Sequence, residues 1–516
     1  QIAMGDLDAA EATVKKLRGS RVAATAVDEA RLDLLEAQVA GRRLQLPRWR
    51  ALGERALARL GADPLLAPLR ARATRELAEA LKAVGDIEGA RALLAANVET
   101  LVHADSPELL GDTWAALAML AARVGDDEQA ETHFQRAIDV FSRIDSPHGL
   151  SASYRGLARL TFRHGDLERT AQLLGEAIRF AEVSGNPDDE LTARNNLAIL
   201  WLERGRLRAA AAELERVVAL SRNQGDPLGL ATYLGNLGVT YLALGRHQDR
   251  LRIYAEAVRA AGRIQLPVAE ARRAGFEGEL ALASADLTGA RRSFDAAARR
   301  YTELSVPDAQ WPVELRAAFA HLMAGADAEA AAALGRAQRV ADAIGHQRGR
   351  ADVALAQADM AVEQDRFAEA RGLAESAVSG FRAAGNSPAE AELMLAKALS
   401  GQGAWQGAAD ALARARRGIA EGDLDLGLRA ELIGLRLDQR RTGRCAGGAK
   451  GAEELAAKAH RHGFHRTAFE ARLLAADCAR SAGEEATASR IEREVKAEAE
   501  RTGWRRFASR RDALVQ

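Results

Sequence analysis

Aromatic residues make up only 4% of this 516-residue chain, although 48% of it is hydrophobic. With so few large rings, alanine and leucine must carry the core, which favours helices over strands. An excess of one charge is also missing: Lys+Arg and Asp+Glu are 72 each, and the net charge is zero. A sequence-independent grip on nucleic acid or an anionic membrane needs a basic excess. Cysteine is nearly absent. Cys445 and Cys478 make no disulfide framework, and that scarcity predicts a reducing, cytoplasmic setting. No run of about eighteen uncharged apolar residues occurs, so no membrane-spanning helix is expected. Residues 1–20 lack the basic start and apolar run of a signal peptide.

Proline is scarce too, but its placement is informative. Six of the eleven prolines stand at 107, 147, 187, 227, 267 and 307, each forty residues from the last. Ser106, Ser146, Asn186 and Asp226 precede four of them. A short polar side chain accepts a hydrogen bond from the first turn of a helix, and proline fits the position that follows. Each pair therefore predicts a helix start. A second marker falls eighteen residues on, at Gly85–Asp86, Gly125–Asp126, Gly165–Asp166, Gly205–Arg206 and Gly245–Arg246. Glycine takes the left-handed conformation that ends a helix. Weaker copies stand at Ala285–Asp286, Gly325, Asp365–Arg366, Gly403, Gly443 and Gly483, and Gly5–Asp6 and Gln45 extend the series backwards.

Between the markers the apolar spacing is helical. Leu230, Leu234, Leu237 and Tyr241 form one stripe, and Leu251, Tyr254 and Val258 form a facing one. One helix pair cannot bury both stripes alone, but stacked copies can, so the pattern predicts an all-α solenoid with a core along its length.

These residues resemble the tetratricopeptide-repeat family. Asn236, Leu237, Gly238, Tyr241 and Gly245 match its first helix and turn. Ala130, Phe134 and Ala137 match its second helix, as do Ala290, Phe294 and Ala297, while Trp114 sits at the first-helix tryptophan slot. The likeness covers nearly the whole chain and is weakest at 20–70 and 440–452. The forty-residue spacing exceeds the usual thirty-four. It is similar to the long-repeat members found in bacterial signal-transduction ATPases, maltose-activator-type regulators and repeat-bearing Ser/Thr kinases. Seven lysines against sixty-five arginines fit a GC-rich bacterial genome. The resemblance implies a right-handed superhelix of antiparallel helix pairs over residues 1–503, with about twelve repeats plus one half-repeat at the N-terminus, and a capping helix over 504–516.

No catalytic or cofactor constellation stands out. "GRCAGGAKG" (Gly443–Gly451) has glycines and a lysine but lacks Gly-Lys-Ser/Thr and a preceding strand, so it reads as a flexible loop between helices. "HRHGFH" supplies His460, His462 and His465, with Cys478 downstream. His460 and His462 are two apart on a helix and diverge, so a polar helix end is favoured over a zinc site. The many carboxylates read as the solvated faces of amphipathic helices. Near the end, Arg501, Arg505, Arg506, Arg510 and Arg511 face one acid, Asp512, while Trp504, Phe507 and Leu514 share one helical side. Solenoids need a terminal helix to cover the last apolar face.

The resemblance also implies that the first helix of each pair lines a concave groove. On that reading Arg155, Arg159 and Arg163, four apart, form one basic stripe, Arg123 joins it, and Asn195, Asn196 and Asn236 follow. Amide side chains satisfy an extended peptide backbone, and arginine adds two-pronged bonds to carboxylate or phosphate. The alternative is that these arginines pair with local acids such as Glu203. A protein or peptide partner, anionic by the arginines, is therefore expected. RNA-reading repeats place base-contacting residues in every repeat, and here the polar groove residues cluster centrally, which argues against nucleic acid. The expected role is a cytoplasmic interaction scaffold without cofactor or catalysis, the sensor region of a bacterial signalling protein. Because Gly5–Asp6 would turn into a second helix lacking its first, an effector domain upstream of Gln1 is also expected.

Overall fold

The structure, a computed structural model, describes residues 7–19, 25–43, 45–61, 63–104, 106–225, 227–443, 445 and 448–509. Gly5, Asp6, Asp226, Arg510, Arg511, Asp512 and Leu514 lie outside the described residues. Among the described residues there are α-helices and one short 3-10 turn, and no strand. The helices are α1 (Leu7–Arg18), α2 (Ala26–Arg42), α3 (Leu46–Leu60), α4 (Ala67–Ala83), α5 (Ile87–Val102), α6 (Pro107–Val124), α7 (Asp127–Arg143), α8 (Pro147–Arg163) and α9 (Leu167–Ser184). Then follow α10 (Pro187–Glu203), α11 (Leu207–Gln224), α12 (Pro227–Ala243), α13 (His247–Ala261), α14 (Pro267–Ala283), α15 (Leu287–Glu303), α16 (Pro307–Met323), α17 (Asp327–Ala343) and α18 (Gln347–Glu363). The last are α19 (Phe367–Ala383), α20 (Ala389–Gly401), α21 (Trp405–Gly418), α22 (Leu424–Thr442), α23 (Gly448–Arg461), α24 (His465–Ser481), α25 (Glu485–Thr502) and α26 (Arg505–Ser509). α2 packs on α3, α4 on α5, α6 on α7 and α8 on α9, and each even-numbered helix from α12 to α24 packs on the odd-numbered helix after it. The chain is an all-α solenoid.

Most of the forty-residue markers act as the sequence predicts, although Ser106 makes no side-chain capping bond to α6. Pro107, Pro147, Pro187, Pro227, Pro267 and Pro307 each open a helix. The Ser146 hydroxyl accepts from the Gly149 N–H at 3.4 Å, and Asp86, Asp126, Asp166 and Asp286 cap α5, α7, α9 and α15. Two turns keep the left-handed conformation without glycine, at Ala285 (φ 63°) and Asp365 (φ 56°).

The apolar stripes supply the core. Leu234, Leu237 and Tyr241 of α12 are at most 5% exposed. On α13 the buried face runs through Arg250, Ile253, Tyr254 and Ala257, which leaves Leu251 and Val258 half-buried at its edge. The Phe134 ring lies against the backbone of Gly156, and any Cβ at 156 would collide with it. Phe141 fills the equivalent space over Gly111 and Gly149.

The chain forms two compact units, Gln1–Leu200 with Ala219–Asp226, and Trp201–Val218 with Pro227–Gln516. The first has its core around Phe134, Phe141 and Leu157. The second has a larger core around Phe294, Leu322, Phe469 and Trp504, drawn from α15, α16, α24 and the residues next to α26.

Candidate interaction site

In the first unit, Arg155, Arg159 and Arg163 stand on successive turns of α8, and their surroundings differ. Arg155 is half-buried and donates to Asp189 of α10 at 3.1 Å, while His148 Nδ1 lies 2.5 Å from the other oxygen of the same carboxylate. Arg163 bonds to the Asp127 carboxylate and the Ala122 carbonyl, and His164 Nε2 is 2.7 Å from Asp127. These two arginines tie α8 to its neighbours on either side. Arg159, between them, is exposed and has no hydrogen bond or ion pair among the described residues. The walls of neighbouring helices strip water from its guanidinium, and with the Arg163 charge they lower its pKa. Arg123 of α6 is likewise exposed and without such a partner.

Arg159 is flanked by apolar groups. Forty residues before it stands Met119 of α6, 38% exposed, and forty after it stands Ile199 of α10, half-buried. Asn195 is 9% exposed and already engaged within the fold, whereas Asn196 is half-buried. Asn236 belongs to the second unit, where its carbonyl accepts from Thr240 and the residue is likewise engaged. Glu203 pairs with none of the predicted arginines. It binds Arg348 and Asn386 inside the second unit.

The inner helices of the second unit carry the opposite arrangement. Slots that hold Arg159 and Arg163 in α8 hold Glu279 in α14 and Asp359 and Glu363 in α18. Each of these acids is taken by an arginine of the same unit. Arg316 grips Glu279 through two bonds of 2.5 and 2.6 Å. Arg466 reaches Asp359 at 2.5 and 2.6 Å, Glu363 at 2.9 Å and Glu470 at 2.9 Å. Lys397 adds a bond to Glu470 at 3.2 Å, and Arg429 one to Glu390 at 2.6 Å. Burial works against the Arg466 charge, yet Asp359, Glu470 and Glu363 hold its pKa well above the ordinary arginine value. Burial lowers the pKa of Lys397.

This corrects the reading of the carboxylates as solvated faces. Glu314, Glu392 and Glu470 are at most 2% exposed, and Asp33 is fully buried under Arg18, Arg55 and Arg59. An acid on a repeat helix is buried where a neighbouring turn of the same unit supplies an arginine, and local spacing carries no sign of that. The available signal was the change of sign from arginine to acid at fixed repeat slots.

The cysteines need a second correction. Cys445 and Cys478 form a disulfide with Cα atoms 5.6 Å apart, within the usual span. The loop before α23, read as flexible, is thus fastened to α24. Two residues of the "HRHGFH" stretch serve packing: His462 Nδ1 meets the Gly245 carbonyl at 2.8 Å, and His465 Nε2 meets the Ala283 carbonyl at 2.9 Å. His460 and His465 line a cleft of about 380 Å³ with Glu453, Phe469, Arg472 and Glu498. Among the described residues no group of three or more His, Cys, Asp or Glu is placed to hold a metal ion. Trp504 and Phe507 are 2% exposed, and Trp504 Nε1 donates to the Ala285 carbonyl at 3.2 Å. Arg506 donates to the carbonyls of Leu322 and Glu363 and pairs with Asp327, so α26 packs on α16 as well as α25. No helix among the described residues is long and apolar enough to cross a membrane.

Tetratricopeptide-repeat models match residues 109–183, and 191–223 with 230–264. No curated protein matches the chain. Among solved structures, BtubC from P. vanneervenii is 21% identical over 43% of this chain and 90% of its own, with a TM-score of 0.37. A signal-transduction ATPase with a tetratricopeptide-repeat sensor from Pyrococcus horikoshii is 14% identical over 64% and 52%, with a TM-score of 0.44. A Rap protein in complex with competence and sporulation factor is 12% identical over 70% and 100%, with a TM-score of 0.46. At these identities and scores the likeness carries no information on what this chain binds. The matched segments resemble tetratricopeptide repeats, and helix pairs outside them keep the same forty-residue period through most of the described chain.

Proposed function

We propose that this chain is a protein-interaction scaffold, the sensor region of a bacterial signalling protein, and that its first unit holds an anionic peptide segment along α6, α8 and α10. The observation that carries this reading is Arg159, an exposed arginine without a partner, set between two arginines that are both committed to acids. An anion brought to it gains a charge-assisted bond and relieves the repulsion from Arg163. Met119 and Ile199 offer apolar contact on either side, which suits an acidic residue flanked by apolar ones. In the second unit the corresponding slots are filled by the chain's own ion pairs, which supports binding through the first. The task is binding, not catalysis.

The test is titration of a fluorescent peptide of alternating leucine and glutamate. Arg159→Glu is expected to weaken its binding by about tenfold or more, since reversing one close charge costs over 1 kcal/mol. The wild-type affinity should fall with added salt, because exposed charges are screened. Equal affinity in a folded Arg159→Glu variant would remove α8 from the site.

A further inference from the structure

Four of the chain's ten histidines, His247, His460, His462 and His465, gather at one seam inside the second unit. The seam is where α23 and α24 meet turns formed about two hundred residues earlier. His462 holds the Gly245 carbonyl across 217 positions and His465 holds the Ala283 carbonyl across 182. The His247 ring packs edge-on to His465, with centroids 6.2 Å apart, and abuts Gly463 so closely that a Cβ there would collide with it. His460 makes a second edge contact with His465 at 6.4 Å.

One fixed cation shares this space. Arg250, one turn from His247 on α13, is 6% exposed, has no ion pair or side-chain hydrogen bond among the described residues, and its Nε is buried without an acceptor among them. Two acids face it, but both are committed. Glu279 of α14 is gripped by Arg316 of α16, and Asp425 of α22 stands 3.7 Å from Arg429. The Nδ1 atom of His247 is also buried without a partner. A proton added to the His247 ring would leave a buried charge near Arg250, with no acceptor for Nδ1, and such a group is costly. Around His465 the Ala283 carbonyl of α14 and Glu498 of α25 favour a positive ring, while burial, Arg250 and His460 oppose it.

We propose that this histidine seam is an acid-released clasp: protonation of His247 and His465 beside Arg250 parts α23 and α24 from the 245 and 283 turns and uncovers the inner face of the second unit, with the helix pairs intact. Burial, then Arg250 and the other imidazoles, push His247 down to about 4, and burial lowers His465. A lowered value for the closed state means that closure is fully favoured above the ordinary histidine value of 6.5 and is lost as pH falls through that window to about 4. His247 alone then raises the opening equilibrium about 30-fold between neutral pH and pH 5.

Hydrogen exchange on the full chain at pH 7.5 and 5.0, corrected for the intrinsic rate, tests this. Peptides covering 244–250, 283–288 and 460–466 are expected to open about 30-fold more at pH 5.0, while those of α6 and α7 keep their protection. His247→Phe keeps a ring against Gly463 but cannot charge, and should cut the response to less than about threefold. Should that variant fail to fold, Arg250→Met decides: without the fixed cation, His247 titrates nearer its ordinary value and the response shrinks. Unchanged protection of the wild type at pH 5.0, opening of both units together, or a full response in the folded variants would overturn the proposal.

Discussion

At the scale of single residues, arginine does two different jobs in this chain. Arg155 and Arg163 link neighbouring helices and leave Arg159 exposed without a partner. Arg466, by contrast, is the centre of a buried network in which three carboxylates, Asp359, Glu363 and Glu470, share one guanidinium. A planar group with five donors can serve several acceptors at once, which lysine cannot. Removing it leaves acids in the interior without their main counter-charge. Arg466→Met is therefore expected to cost about 3–5 kcal/mol in the unfolding of the second unit, read by urea denaturation. A loss under about 1 kcal/mol would mean that Lys397 and water replace the guanidinium. None of this was legible from spacing, because Asp359 and Arg466 are 107 positions apart. Both residues look like surface charges on amphipathic helices until that approach is known.

At the scale of elements, the repeat period specified the helices well. Phe134 and Phe294, placed in the second helix by pattern alone, are 1% exposed. The turn slots were equally readable, including the degenerate ones. Ala285 and Asp365 adopt left-handed backbone although neither is glycine. The reason is that the flanking helices α14 with α15, and α18 with α19, fix the turn through their own packing. An L-residue with a side chain pays about 1–2 kcal/mol for that conformation. Ala285→Gly should therefore raise the stability of the second unit by about 1 kcal/mol, less whatever glycine costs by loosening the unfolded chain. The bond from Trp504 to the 285 carbonyl is kept, so a shift in thermal midpoint reports the turn alone. An unchanged or lowered midpoint would show that the Ala285 backbone is not strained. What the pattern could not reveal was that α22 to α26 return to the turns of α12 to α18, since such contacts depend on the small rotation accumulated over several repeats.

At the scale of the whole molecule, an even balance of 72 basic and 72 acidic residues conceals an uneven distribution. The first unit shows bare arginines at slots where the second unit pairs acids with its own arginines, and buried groups elsewhere in the second unit make it sensitive to pH in two opposed ways. Asp352 is pushed up to about 7 by burial and by Glu390 and Glu203, against the pull of Arg348. Asp423 is pushed up to about 6, chiefly by burial. A carboxyl whose folded value is raised favours the fold while it is protonated, so its contribution is present at low pH and lost as pH rises from about 4 through 7. His247, with its value lowered to about 4, works the other way and strengthens the fold as pH rises to 6.5. The two partly cancel in the wild type between pH 4 and 6.5. Asp352→Asn removes the larger falling contribution, so its stability should climb with pH over that window. His247→Phe removes the rising one, so its stability should decline from pH 4 to 7. Because the Asp352 side chain is 25% exposed, screening reduces the expected change to about 1–2 kcal/mol. Denaturant midpoints of the second unit at pH 4.5, 6 and 7.5 measure both slopes. If the two variants tracked each other across that range, the buried carboxyl and the buried imidazole would not be the groups that set the pH dependence.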